Sequence, residues 1–456
     1  MPLNFKPGRK WLLIGLLATM EFITPLASSM FAPALGYMDI DLHNNSGVLS
    51  PMVVTIFVFG FVPGPLFLAP LGEIYGRRPV LSASNVFFVA FQIGCALAPN
   101  IGALIAFRFL AGIGGSGCLA VGGGVIADLF PPQQRGLASA VYSIGPIFGP
   151  TVGPVLGGFL SQRLSWRWIF WLLLIASGTM TCCNGLFFRE TNPRVLMKRK
   201  VARLSKELNR SDLRSVYEQE DDANKSTRHR AILANGLKRP LKLLFTSPVV
   251  FILATYVALI YGLSFLVFTT LTAVLHDAYG WSPEICGLAY LAIGLGFLCG
   301  LVTVAKISDA TVVRLASTNG GVIEPEMRLP TCAIIACLIP VSFFWYGWAA
   351  DQKAYWLVTV IGLVPLGYGM IGVFLPAQTY LIDAFPIYSA SALAAQTTTR
   401  SLFGGFLALA GPSMNSKLGI GWANSVLGFI TLAFVPATAL VAQYGKFLRE
   451  RYPVNI

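Results

Sequence analysis

Apolar runs of about twenty residues recur along the whole chain, separated by short polar or charged turns. An α-helix of that length crosses the ~30 Å hydrocarbon core of a bilayer. About twelve such runs are legible, near residues 11–33, 49–71, 80–98, 101–124, 137–160, 167–187, 247–272, 284–304, 329–349, 354–376, 390–412 and 421–444. In lipid, each segment must satisfy its own backbone N–H and C=O groups, so the runs are expected as helices. The first run follows Lys6, Arg9 and Lys10, as in a signal peptide, with Ala27-Ser28-Ser29 where cleavage would fall. Its length and the many runs after it favour a retained first span.

One long polar interruption, Arg189 to Lys242, divides the pattern into six runs and six. The expected organisation is a bundle at 1–187, a cytosolic loop at 188–245 and a second bundle at 246–456. Within the loop, Val195, Leu196, Val201, Leu204 and Leu208 stand among basic residues, as in an amphipathic helix lying on the inner membrane surface. Residues 210–230 read equally well as a solvated linker.

Composition sharpens the picture. The chain is 55% hydrophobic and only 12% charged, against about 25% charged for soluble domains. Its net charge of +13 comes from 33 Lys and Arg. Most of these fall in alternate loops, which the positive-inside rule assigns to the cytosol with both termini and residues 189–242. Membrane orientation therefore accounts for the basicity, and no nucleic-acid partner is expected. The eight cysteines lie in or beside apolar runs without a CxxC, and the three histidines are scattered. Neither metal nor cofactor is expected.

Against this background three stretches stand out. In Ser143–Leu160, Gly145, Gly149, Gly153 and Gly157 recur every fourth residue, and Pro146, Pro150 and Pro154 follow the first three. Prolines are tolerated in membrane helices, and a four-residue glycine stripe lets another helix approach closely. Ala69 to Arg78 reads APLGEIYGRR, with Gly76 suited to a tight turn. Glu73 then sits near a helix C-terminus, where the macrodipole disfavours a carboxylate. Finally, Arg108 opens RFLAGIGG inside the fourth run, and an intramembrane arginine calls for a partner. At 1.5 Å per residue, Glu21 lies ~15 Å from the inner end of its span and Arg108 ~10 Å from the outer end of its own. The two are expected to pair, either as a proton-responsive couple or as a fixed structural one. Arg400 is the other arginine within a span.

With these motifs in place, the chain resembles the major facilitator superfamily over nearly its whole length. Residues 69–78 resemble the loop motif between spans 2 and 3 in the form carried by fungal drug/proton antiporters. Arg108–Gly115 resembles the span-4 motif, and Gly149–Gly158 (GPTVGPVLGG) the span-5 antiporter motif. Ser28–Pro33, Trp166–Trp168, Arg189–Thr191, Pro325–Leu329 and Tyr380–Asp383 fit the same branch. Ala69, Gly72 and Ile74 depart from it.

The resemblance implies an all-α membrane protein of twelve transmembrane helices, in two six-helix bundles with inverted repeats. It implies an inner latch at Glu73, Arg77 and Arg78, proton coupling through Arg108, and a sealing hinge at Gly149, Gly153, Pro154, Gly157 and Gly158; Glu21 lies outside the family's common pattern and joins Arg108 in proton coupling on the depth estimate alone. Spans 1, 4, 7 and 10 would line the cavity, adding Thr24, Ser28, Tyr256, Tyr261, Ser264 and Tyr368. The expected function is proton-coupled export of small, largely apolar compounds by a monomer in the plasma membrane. Its partners would be the substrate, protons and the bilayer. A proton symporter for a nutrient or organic acid, and a non-transporting receptor, are the alternatives. No enzyme motif is present.

Overall fold

A computed structural model describes residues 2–131, 134–209, 225–318, 320, 324–385 and 388–452, and every regular element among them is a helix. The spans are longer than their apolar cores. Span 1 runs Pro7–Ser29 and, after a short turn, Leu35–Asp41; span 2 is Leu49–Phe59 with Pro63–Ile74; span 3 is Arg77–Ala96. Span 4 is Ile101–Gly115 with Gly117–Leu129; spans 5 and 6 are Arg135–Arg163 and Arg167–Phe187. In the second half, span 7 is Pro248–Tyr279, span 8 Pro283–Thr318 and span 9 Leu329–Ala336 with Leu338–Asp351. Span 10 is Trp356–Ile361 with Val364–Ala384, span 11 Ser389–Leu418 and span 12 Ile420–Arg451.

Eleven of these stretches are long and apolar enough to cross a membrane by length and composition. Span 11 is the twelfth long helix. Gln396, three threonines and Arg400 dilute its apolar character. Of these, Gln396, Thr398 and Arg400 are buried within the bundle.

Glycines set the helix pairings. Span 5 lies along span 1: a Cβ at Gly145 would come within 2.6 Å of the Glu21 carbonyl carbon, and one at Gly149 within 2.9 Å of Leu26 N. Gly153 and Gly157 continue the stripe against Leu26, Ser29 and Met30. Span 2 meets span 4 where Gly60 faces Gly112. The second half repeats the scheme: span 11 lies along span 7, and span 8 meets span 10 through Gly296, Gly300 and Gly367. Small residues are what membrane helices need at such contacts, since lipid supplies no hydrophobic drive between them.

The loop between the halves contains two helices, Pro193–Glu207 and Lys225–Thr246. The first is capped by Asn192, whose side chain accepts from Arg194 N at 3.0 Å, with Pro193 in the first turn. Val195, Leu196, Met197, Val201 and Leu204 are half-buried on one face, while Lys198, Arg199, Lys200 and Arg203 are exposed. This matches the amphipathic arrangement expected from sequence except at Leu208, which is 57% exposed beyond the helix end. Of the stretch read as a linker, residues 210–224 lie outside the described residues.

Candidate transport site

Two arginines sit inside the helical bundle, and their surroundings differ. Arg108 is almost fully buried, and each guanidinium nitrogen donates to a carbonyl. Nε reaches Val53 O at 2.8 Å, Nη1 reaches Ala27 O at 3.2 Å and Nη2 reaches Ser28 O at 3.4 Å. Ala27 and Ser28 close the first helix of span 1, so their carbonyls lack intrahelical donors and carry the negative end of its dipole. Phe31, Phe57 and Phe170 surround the guanidinium at 5.1 to 5.8 Å. Arg108 is thus a helix cap in an aromatic box.

This corrects the expected pairing of Arg108 with Glu21. Ser28 lies seven residues beyond Glu21, or ~10 Å along the helix. Arg108 stands level with the freed carbonyls, and the carboxylate lies about two turns of span 1 away from it.

Glu21 is fully buried, and neither carboxylate oxygen has a hydrogen-bond partner. Tyr142 of span 5 stands beside it, yet its hydroxyl donates to Cys118 O at 3.0 Å. The cation whose charge reaches Glu21 is Arg400, on span 11 of the other half. Arg400 is buried, its Nε is unpartnered, and its guanidinium lies 5.1 Å from the Tyr261 ring and 5.2 Å from Phe374. Tyr261 is itself within electrostatic reach of Glu21. Spans 1, 5, 7, 10 and 11 therefore converge on one polar centre between the halves.

The other candidate lining residues divide. Ser264 donates to Ile260 O at 2.7 Å and approaches Met370 Sδ at 2.8 Å, so it sits between spans 7 and 10. Thr24 donates to Met20 O at 3.1 Å, and its methyl faces Gly115 of span 4. Ser28 donates to Pro25 O at 2.6 Å within its own helix. Tyr368 is half-buried, with its backbone against Gly296 and Gly300 of span 8. Tyr256 stacks its ring on Phe434 of span 12 at 6.0 Å and 5°, and its hydroxyl is buried without a hydrogen-bond partner. Five residues separate Tyr256 from Tyr261, more than a full turn, so the two rings leave the helix in different directions.

The inner end is also wired differently from the expected latch. Gly76, at φ 108°, reverses the chain so that Arg77 passes beneath span 4. Arg77 Nε lies 3.6 Å from Asp128 Oδ2 at the end of span 4, and Arg78 Nη2 donates to Gly185 O at 2.8 Å. Glu190, just past span 6, accepts from the backbone N–H of Arg77 at 2.8 Å, Arg78 at 3.3 Å, Thr191 at 3.0 Å and Asn192 at 2.9 Å. Glu73 is exposed, so the acids that hold this turn are Asp128 and Glu190. The second half repeats the device: Arg328 Nε donates to Asp383 at 2.6 Å, and Arg449 Nη2 to Glu326 at 2.8 Å.

Beyond the polar centre, the opposite face of span 5 meets span 8 of the other half. Thr151 Oγ1 would lie 3.2 Å from a Cβ at Gly294, Pro154 O 2.7 Å from one at Gly287, and Gly158 abuts Pro283. At the outer rim Arg163 Nε donates to Glu284 at 2.6 Å. The motif glycines thus serve two contacts: Gly149, Gly153 and Gly157 face span 1, while Gly158 faces span 8.

The family model of the Major Facilitator Superfamily matches residues 17–409. The chain belongs to that superfamily. Curated relatives cover its full length. MFS transporter cpaT of Aspergillus oryzae is 42% identical over 100% of this chain and 91% of its own. Efflux pump radE of Floropilus chiversii is 42% identical over 100% of this chain and 84% of its own. MFS-type transporter penM of Penicillium rubens is 43% identical over 98% and 87%. Among solved structures, the partially occluded inward-open xylose transporter XylE of E. coli superposes with a TM-score of 0.71 at 16% identity, over 96% of this chain and 98% of that one. The human organic anion transporter MFSD10 does so with 0.61 at 16%, over 95% and 100%. This superfamily member is therefore a multi-pass membrane transporter of twelve helices.

Sequence reasoning missed Asp128, Glu190 and the role of Arg400. Arg400 carried a signal, because a second intramembrane arginine also demands a partner. Asp128 carried little, since a single acid at a helix end is ordinary in sequence, whereas Glu190 lay inside the Arg189–Thr191 stretch already matched to the family but without a role.

Proposed function

We propose that this transporter exports small, largely apolar compounds from the cytosol in exchange for protons, by alternating access in the plasma membrane. The supporting observation is the Glu21 carboxylate of span 1, fully buried without a hydrogen-bond partner, in a centre that the buried Arg400 of span 11 also enters. A buried charge without hydrogen bonds is costly, so the group is suited to exchange a proton or a counter-charge during a cycle. When Glu21 is ionised, its attraction to Arg400 draws the two halves together at the centre. When it is protonated, that attraction is gone. Residues 1–187 and 246–456 would rock as two bodies around this point, with 188–245 as the cytosolic connection. The apolar surroundings of the pair suit a largely apolar substrate, and export follows the efflux-pump name carried by the Floropilus relative.

The test is transport into inside-out vesicles with an imposed pH gradient, using a panel of apolar compounds. Uptake driven by a proton gradient, and lost when the gradient is collapsed, is the expected result. Gradient-driven movement in the opposite sense would establish a symporter instead.

A further inference from the structure

We propose that the cleft beneath the first half, against the inner-surface helix Pro193–Glu207, binds the phosphate headgroup of an anionic phospholipid from the inner leaflet. The cleft measures about 480 Å³. Its rim carries Arg78, Arg189, Arg199 and Lys200. The acid within it, Glu190, is already occupied by four backbone N–H donors. Among the described residues, no acidic side chain pairs with Arg189, Arg199 or Lys200. Four cations therefore converge on a space whose negative charge is spoken for, and a phosphate supplies what they lack.

Two observations favour a lipid over a soluble phosphate. Phe5, Leu196 and Met197 also line the cleft, so it offers apolar surface beside the charges. The chain enters it directly from the inner end of span 6, where Leu186 and Phe187 are 77% and 51% exposed. A headgroup held by the arginines would leave its acyl chains beside these side chains in the hydrocarbon. Basic pockets on the cytosolic side of membrane helices are suited to anionic headgroups, with each Lys or Arg worth about five-fold in affinity.

The experiment uses the full chain, purified in a neutral detergent, with retention of short-chain phosphatidylserine, phosphatidylinositol 4-phosphate and phosphatidylcholine read by native mass spectrometry. Anionic lipids should bind at least about ten-fold more tightly than phosphatidylcholine, and less tightly as salt rises. Arg199→Glu with Lys200→Glu should abolish that preference. Lys206→Glu, on the same helix but outside the cleft, should change it less than about two-fold. Arg189→Gln provides a milder variant and should weaken binding about five-fold. Equal retention of anionic and neutral lipids, or an unchanged preference in the charge-reversed protein, would overturn the proposal. So would soluble inositol hexakisphosphate displacing the lipid at equal concentration. None of these readouts depends on transport, so the site can fail without bearing on the exporter, and the reverse.

Discussion

At the scale of single residues, the two buried arginines make opposite predictions. Arg108 satisfies three carbonyls, each hydrogen bond to a charged donor being worth ~1.5–3 kcal/mol. Arg108→Leu would strip the cap from span 1 and should sharply lower thermal stability in detergent, followed by size-exclusion chromatography after heating. Arg400→Leu removes a cation with an unpartnered Nε, so the loss of stability should be smaller while gradient-driven transport is abolished. Equal melting losses in both would show that Arg108 is no more structural than Arg400. For Glu21, the informative change is Glu21→Gln, which keeps shape but cannot ionise. It should retain substrate binding and lose the dependence of export on the pH gradient. Unaltered pH-driven export would remove Glu21 from proton coupling.

At the scale of elements, span 5 shows how one motif serves two neighbours. A Cβ at Gly153 would stand 2.8 Å from Leu26 O and 3.0 Å from Met30 N, both on span 1. Gly153→Leu should therefore overpack the first bundle by ~1–3 kcal/mol and lower its melting temperature. Gly158 abuts Pro283 of span 8, across the division between halves. Gly158→Leu should leave the first bundle stable and instead hold the outer ends of spans 5 and 8 apart, raising access of an impermeant thiol reagent to Thr151→Cys. If both substitutions destabilised equally without altering access, the two faces would not be separate contacts. The four-residue spacing of Gly145, Gly149, Gly153 and Gly157 was enough to predict a helix contact. It could not tell which helix would fill it, because spacing along one span carries no information about its neighbours.

At the scale of the whole molecule, closure rests on small differences. Arg163 and Glu284 join the outer ends of the halves, with Arg163 largely exposed. Such an exposed pair is screened by solvent and contributes little. Glu284→Ala should thus shift an open–closed equilibrium by no more than about five-fold, visible as faster labelling of Thr151→Cys. At the inner end, Glu190→Ala should depress transport more than Glu73→Ala, because Glu190 holds four backbone donors and Glu73 is exposed. The reverse order would restore Glu73 as the inner latch.

What the sequence determined by itself was whatever depends on one segment and its solvent. The length of each apolar run set the helices, the Lys and Arg bias set the expected orientation, and the position of Gly76 set the turn before span 3. The amphipathic helix after Pro193 was readable for the same reason: its pattern is local. Only the tertiary structure decided the partners of buried charges. Depth along a span fixes one coordinate, whereas pairing also needs the rotation of each helix and the reach of each side chain. Counting residues from the span ends put Glu21 and Arg108 level, yet Arg108 lies level with Ala27 and Ser28, about two turns along span 1 from Glu21, where the freed carbonyls claim it. Arg400, nearly three hundred residues further along the chain than Arg108, brings a second cation to the centre because span 11 of the second half packs against span 2 of the first.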